Sequence, residues 1–144
     1  MNRKIAIIVA QFNEYVTRML LQGALDEAKI SGLEISPSDI FFVPGAFEIP
    51  VTAQRLAATK SYAAIVCLGA IIKGETPHFD YVAAESASGL MQVSLATSLP
   101  IINGILTTNT VEQALNRSGL KSGNKGRDSM RAALQMAKMF SESK

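Results

Sequence analysis

Ala63-Ala64-Ile65-Val66-Cys67-Leu68-Gly69-Ala70-Ile71-Ile72 is a run of ten uncharged, mostly apolar residues that breaks abruptly into Lys73-Gly74-Glu75-Thr76-Pro77-His78. A continuous apolar run reads as a strand covered on both faces, the pattern of a parallel sheet with helices packed on either side. A helix-like segment, Tyr81–Thr97, follows almost at once. The turn between them therefore lies at the carboxyl edge of a sheet, where open α/β folds bind their ligands. It holds a cation, a hydroxyl, a glycine-exposed backbone and His78, the only histidine in the chain.

Working outward, three more apolar runs share this character: Ile5–Ala10, Ile40–Val43 and Pro100–Leu106. Amphipathic stretches separate them. Tyr15–Lys29 carries an apolar stripe of Val16, Met19, Leu20, Gly23, Ala24 and Ala28, with Asn13 placed to cap it and Ser31-Gly32 to end it. Pro50–Thr59 begins with a proline suited to a first turn. Tyr81–Thr97 is rich in Ala and Ser, with a charge only at Glu85, which predicts burial against more than its own sheet. Val111–Arg117 follows the capping pattern Thr110-Val111-Glu112-Gln113. Asp128–Phe140 aligns Met130, Ala133, Leu134, Ala137 and Phe140 on one face. The order βαβαβαβαα predicts a three-layer, doubly wound domain with a parallel sheet.

Composition bounds the function. The 144 residues suit a single domain spanning 1–144. With 48% apolar and 18% charged residues, the chain is ordinary globular material. A net charge of +2 with no tryptophan leaves no nucleic-acid footprint. No run is long enough to cross a bilayer, and the N-terminal stretch has too short an apolar part for a secretion signal. Cys67 stands alone in a buried run, so neither an internal disulfide nor a cysteine-rich metal site is expected. The expected location is the cytoplasm.

Four strand-end turns are expected side by side: Gln11-Phe12-Asn13, Pro44-Gly45-Ala46-Phe47-Glu48, the Lys73–His78 loop, and Thr107-Thr108-Asn109. Together they offer two aromatic rings, a carboxylate, free amides and one imidazole. That set suits a small ligand that is planar, polyhydroxylated or phosphorylated. Each residue also has an ordinary role: the phenylalanines as core, Glu48 as a favourable charge at a helix start, Arg117 and Lys125 as solvated bases flanking Ser118–Asn124. No phosphate loop, nucleophile pair or metal spacing appears. On residues alone, a signalling receiver, a flavin carrier and an unrelated phosphosugar enzyme stay open, although a receiver would place acids where Gln11, Phe12 and Asn13 stand.

Five segments narrow the choice. Phe12-Asn13, Pro44 to Pro50, Gly74 to Val82, Leu106-Thr107-Thr108 and Gly123-Asn124-Lys125-Gly126 occur in the order found in the lumazine synthases, and the chain resembles that family from about Ile5 to Phe140. The resemblance implies an α/β flavodoxin-like fold with strand order 2-1-3-4. It implies a transferase of riboflavin biosynthesis, condensing 5-amino-6-(D-ribitylamino)uracil with 3,4-dihydroxy-2-butanone 4-phosphate, without a cofactor or metal. Carried over by position, Phe12 stacks on the pyrimidine, with Asn13 in the same binding set. Ala46, Phe47 and Glu48 hold the ribityl chain, and Ile71 and Ile72 offer backbone contacts to the ring. His78 moves protons, and Gly74, Glu75 and Thr76 line the phosphate end. Arg117 of a neighbouring subunit pairs with the phosphate, and Lys125 lies near the pyrimidine.

Two positions depart from the family pattern. Lys73 stands where many relatives carry Arg. Asn103 stands where many carry an aromatic that reaches the pyrimidine pocket of the adjacent subunit, which predicts weaker binding of flat products such as riboflavin. The resemblance further implies a homo-oligomer, either a pentamer or an icosahedral shell of twelve pentamers, with riboflavin synthase as a further partner.

Overall fold

The computed structural model describes residues 4–121 and 123–143. Nine principal elements follow in chain order among them: β1 Ile5–Ala10, α1 Glu14–Ile30, β2 Ile40–Val43, α2 Ile49–Ala58, β3 Ala64–Ile72, α3 His78–Thr97, β4 Ile101–Thr108, α4 Val111–Asn116 and α5 Lys125–Glu142. The four strands form one sheet in the order β2-β1-β3-β4, every pairing parallel. The fold is α/β and flavodoxin-like, as expected.

The continuous apolar runs resolve into two cores because side chains alternate across a strand. Ile5, Ile7 and Val9 of β1 join Ala64, Val66, Leu68 and Ala70 of β3 against α1, α4 and α5. Ala6, Ile8 and Ala10 join Ile65, Cys67 and Ile71 against α2 and α3. Burial pushes the Cys67 thiol up, away from thiolate formation, so it acts as a small apolar side chain. The two edge strands are less covered than continuous runs imply: Phe42 on β2 and Asn103 on β4 are exposed, since each edge has a neighbour on one side only.

Boundaries differ where polar contacts override the apolar pattern. β4 continues through Thr107 and Thr108, which pair with Ile71 and Ile72. α3 starts at His78 rather than Tyr81, because Pro77 supplies the carbonyl that receives the Asp80 N–H at 3.0 Å and opens the first turn. α5 starts at Lys125 rather than Asp128: Asn124 Oδ1 accepts the N–H groups of Gly126 at 2.8 Å and Arg127 at 3.1 Å. Gly126 fits there because a Cβ at that position would overlap the backbone carbonyl of Leu20 in α1.

Helix ends follow local chemistry. α1 closes in a Schellman arrangement, with Gly32 at φ 85, Leu33 N–H on Ala28 O at 2.9 Å and Gly32 N–H on Lys29 O at 3.0 Å. Thr110 caps α4 by accepting Gln113 N–H at 3.1 Å, and Gln113 Oε1 in turn accepts Asn109 N–H at 2.9 Å, one residue before the position a capping box would use. Asn13 does not cap α1: it adopts a left-handed backbone (φ 61, ψ 48) and sends its side chain elsewhere.

Candidate active site

Three strand-end turns meet at the carboxyl edge of the sheet and enclose a cavity of about 480 Å³, within the usual range for small-molecule sites. The first turn is an extension of the β1–β2 ladder. Gln11 N–H binds Val43 O at 2.8 Å and Phe12 N–H binds Pro44 O at 2.9 Å, so the backbone is fixed while the Phe12 ring is left 72% exposed. Asn13 turns inward and its Nδ2 donates to the carbonyl of Ala70 at 2.8 Å. That bond ties the first turn to the end of β3.

The second turn is a short 3-10 segment, Ala46–Glu48, entered through the extended Gly45. Glu48 N–H returns to Gly45 O at 3.1 Å. Ala46 is buried and anchors the turn, whereas Phe47 is 56% exposed toward the same cavity as Phe12. Two large rings held open on one cavity are unusual for surface that nothing covers. The carboxylate of Glu48 also lines this cavity, so its role is not confined to the start of α2.

The third turn contributes Ile71, Ile72, Gly74 and Thr76, and then the first residues of α3, with His78 at the first helical position and Phe79 and Val82 following. No side chain caps α3, so N–H groups of its first turn remain open to an acceptor. The imidazole is exposed at the rim. The arrangement offers aromatic faces for a flat ring, a carboxylate for hydroxyls, amides for an anion and one imidazole able to relay a proton.

Ten of the sequence-derived site residues thus share one cavity: Phe12, Asn13, Ala46, Phe47, Glu48, Ile71, Ile72, Gly74, Thr76 and His78. Glu75 is exposed in the same loop but is not on the cavity wall. The fourth turn does not reach the cavity either. Lys73 N–H binds Thr108 O at 2.9 Å, continuing the β3–β4 pairing, so the fourth turn lies beside the third, as expected, but on the side away from the β1 and β2 turns. Asn103 lies midway along edge strand β4, opposite Cys67, with its Oδ1 accepting Ile105 N–H at 3.1 Å. Arg117, just after α4, and Lys125, at the start of α5, are exposed and lie outside this cavity. Phe79 and Val82 also line it and were not singled out from sequence; the signal for Val82 is its spacing of four from His78 and three from Phe79 on the helix. No cluster of metal-ligating side chains occurs among the described residues.

The model for 6,7-dimethyl-8-ribityllumazine synthase matches residues 2–141 of this sequence. The chain belongs to that family. It is 52% identical over 133 residues to the 6,7-dimethyl-8-ribityllumazine synthase of Protochlamydia amoebophila (strain UWE25), covering 92% of this chain and 77% of that one. It is 49% identical over 139 residues to the protein of the same name from Clostridium kluyveri, covering 96% and 90%. Family membership accounts for the co-occurrence of the three cavity turns with the Gly123–Gly126 segment, which the fold alone would not require.

Proposed function

We propose that this chain condenses 5-amino-6-(D-ribitylamino)uracil with 3,4-dihydroxy-2-butanone 4-phosphate to give 6,7-dimethyl-8-ribityllumazine, with loss of phosphate and water, in the cavity at the carboxyl edge of the sheet. Family membership supports the reaction. The observation that carries the siting is the convergence of Phe12, Phe47, Glu48 and His78 on one cavity next to an uncapped helix start.

In this reading Phe12 stacks on the pyrimidine, Ala46, Phe47 and Glu48 receive the ribityl chain, and the backbone at Ile71 and Ile72 faces the ring edge. Gly74, Glu75, Thr76 and the first turn of α3 attend the phosphate. The 5-amino group adds to the ketone and water leaves as the imine forms; phosphate is then eliminated, and the ring closes with loss of a second water. Each step moves a proton, and His78 is the group placed to relay it. Holding two reactants together supplies much of the acceleration, since effective molarities reach about 10⁵ M or more in well-oriented systems.

The cations are the second half of the proposal. The cavity wall of a single chain holds no Lys or Arg among the described residues, yet one substrate is a phosphate ester. Arg117 from a neighbouring copy supplies the missing charge, its planar fork matching phosphate oxygens, and Lys125 lies near the pyrimidine. Tyr81, Met91 and Leu95 on α3 and Val51 on α2 are large, apolar and exposed, a surface that suits burial against further copies. The assembly is a pentamer, with a shell of twelve pentamers favoured over a bare pentamer or decamer. The reaction belongs in the cytoplasm, with riboflavin synthase as downstream partner.

Mixing the protein with both substrates and following lumazine fluorescence tests the activity. A rate no greater than the uncatalysed reaction overturns it. Mass measurement in solution decides the assembly, and a monomer at micromolar concentration removes the neighbour's arginine from the scheme.

A further inference from the structure

The segment that carries the two exposed bases is held together by one side chain. Asn124 uses all of its main hydrogen-bonding capacity. Its Nδ2 donates to Met19 O of α1 and to Ser118 O, both at 3.0 Å. Its Oδ1 accepts the Gly126 and Arg127 N–H groups that open α5. Ser118 and Asn124 form an antiparallel bridge, and next to it Lys125 N–H binds Arg117 O at 2.9 Å. Arg117 and Lys125 are therefore backbone neighbours although they stand eight positions apart in sequence. Gly23 of α1 leaves room for the staple, because a Cβ there would meet the Asn124 amide at 2.4 to 2.6 Å.

We infer that Asn124 is a positioning residue for the phosphate-binding arginine. It fixes the backbone from which Arg117 and Lys125 project, by joining α1, the end of α4 and the start of α5 through one amide. This rests on the reading of Arg117 as the phosphate partner. A half-buried amide with its donors and acceptor all engaged is a rigid support, whereas an exposed arginine on an unrestrained turn would lose side-chain and backbone freedom on binding the phosphate.

Asn124→Asp tests this with little change of shape. The carboxylate keeps the acceptor that caps α5 but cannot donate to Met19 O or Ser118 O. We expect faster hydrogen exchange at the Lys125 amide and a rise of about ten-fold in the KM for the phosphorylated substrate, with kcat within about three-fold of the wild type. In a double-mutant cycle, Asn124→Asp adds nothing further to that KM once Arg117 is alanine. Asn124→Ser, which retains a capping oxygen but is too short to span both carbonyls, shifts the same quantities if the aspartate variant does not fold.

An unchanged KM with the Lys125 amide deprotected overturns the inference, and so do additive effects in the cycle or unchanged exchange. An Arg117→Ala enzyme with normal KM sinks the underlying assignment of Arg117 instead, and that result is obtained without touching Asn124.

Discussion

Asn13 Nδ2 donates to the carbonyl oxygen of Ala70 at 2.8 Å, linking residues fifty-seven positions apart at the floor of the cavity. The bond explains two oddities together. Asn13 accepts a left-handed backbone, which asparagine tolerates better than most residues, and α1 begins without a side-chain cap.

Asn13→Ala removes the bond while keeping the unfavourable backbone. The expected loss of folding stability is about 1–3 kcal/mol, from the unpaired carbonyl and the left-handed conformation together. Asn13→Gly relieves the backbone term and so loses less. Denaturant unfolding of the three proteins checks the order; equal stabilities would show that the bond contributes nothing.

His78→Ala is expected to slow turnover by about 10²-fold and to leave a residual rate set by the approximation of the two substrates. Complete loss of activity with substrate binding intact would make the imidazole essential rather than assisting. Steady-state kinetics with fluorescence detection separates the two outcomes.

Asn103 presents no ring, and its amide is turned onto its own strand through the Ile105 N–H. Weak riboflavin binding is therefore expected of the wild-type protein. Asn103→Trp should tighten it by about ten-fold, a stacking gain on the order of 1 kcal/mol. Quenching of flavin fluorescence reports it, and tight binding by the wild type would contradict the expectation.

Acid should weaken the packing of α1 on α5. Glu27 accepts hydrogen bonds from Arg131 at 3.1 Å and Arg127 at 3.2 Å, and these, with Arg131 foremost, hold its carboxyl below the usual value against the opposing effect of burial. A carboxyl depressed on folding stabilises fully above its unfolded pKa, and that contribution disappears as pH falls through the folded one. Glu27→Gln should therefore flatten the acid limb of a stability–pH curve. Tyr62 behaves oppositely. Burial and its 2.8 Å bond to Asp39 push the phenol up to about 12 from 10.0, so its contribution is full below pH 10 and lost between there and about 12. In an absorbance titration the Tyr62 phenol should ionise late, at about pH 12.

Most of the fold was legible because its signals are local. β1 and β2 have the bounds that apolar continuity predicts, since Ile5–Ala10 and Ile40–Val43 each stop at a polar or proline-bearing turn. Where the reading slipped, a distant partner was responsible. Asn13 looks like a cap until Ala70 is near, and Asn124 looks like a loop residue until Met19 and Ser118 are. The starts of α3 and α5 were misplaced for related reasons, a proline carbonyl in one case and a two-bond cap in the other. The cavity residues were legible as turns at one sheet edge. That the Thr107–Asn109 turn stays off the cavity wall depends on the strand order, which sets β4 at the edge beside β3 and away from β1 and β2, and hydropathy does not encode that order.

The closed ring from Ser118 to Asn124 separates two kinds of sequence. Asn124 must keep its identity to keep its bonds, whereas Met19 and Ser118 meet it through main-chain carbonyls. Leu120 N–H is tied back to Leu115 O at 3.2 Å, and Gly119 and Gly123 stand at φ 112 and 100, so the described residues of this turn are constrained by their backbone instead. A side chain placed at Gly119 or Gly123 would strain that backbone, so this turn is a poor place on the molecule to attach a label.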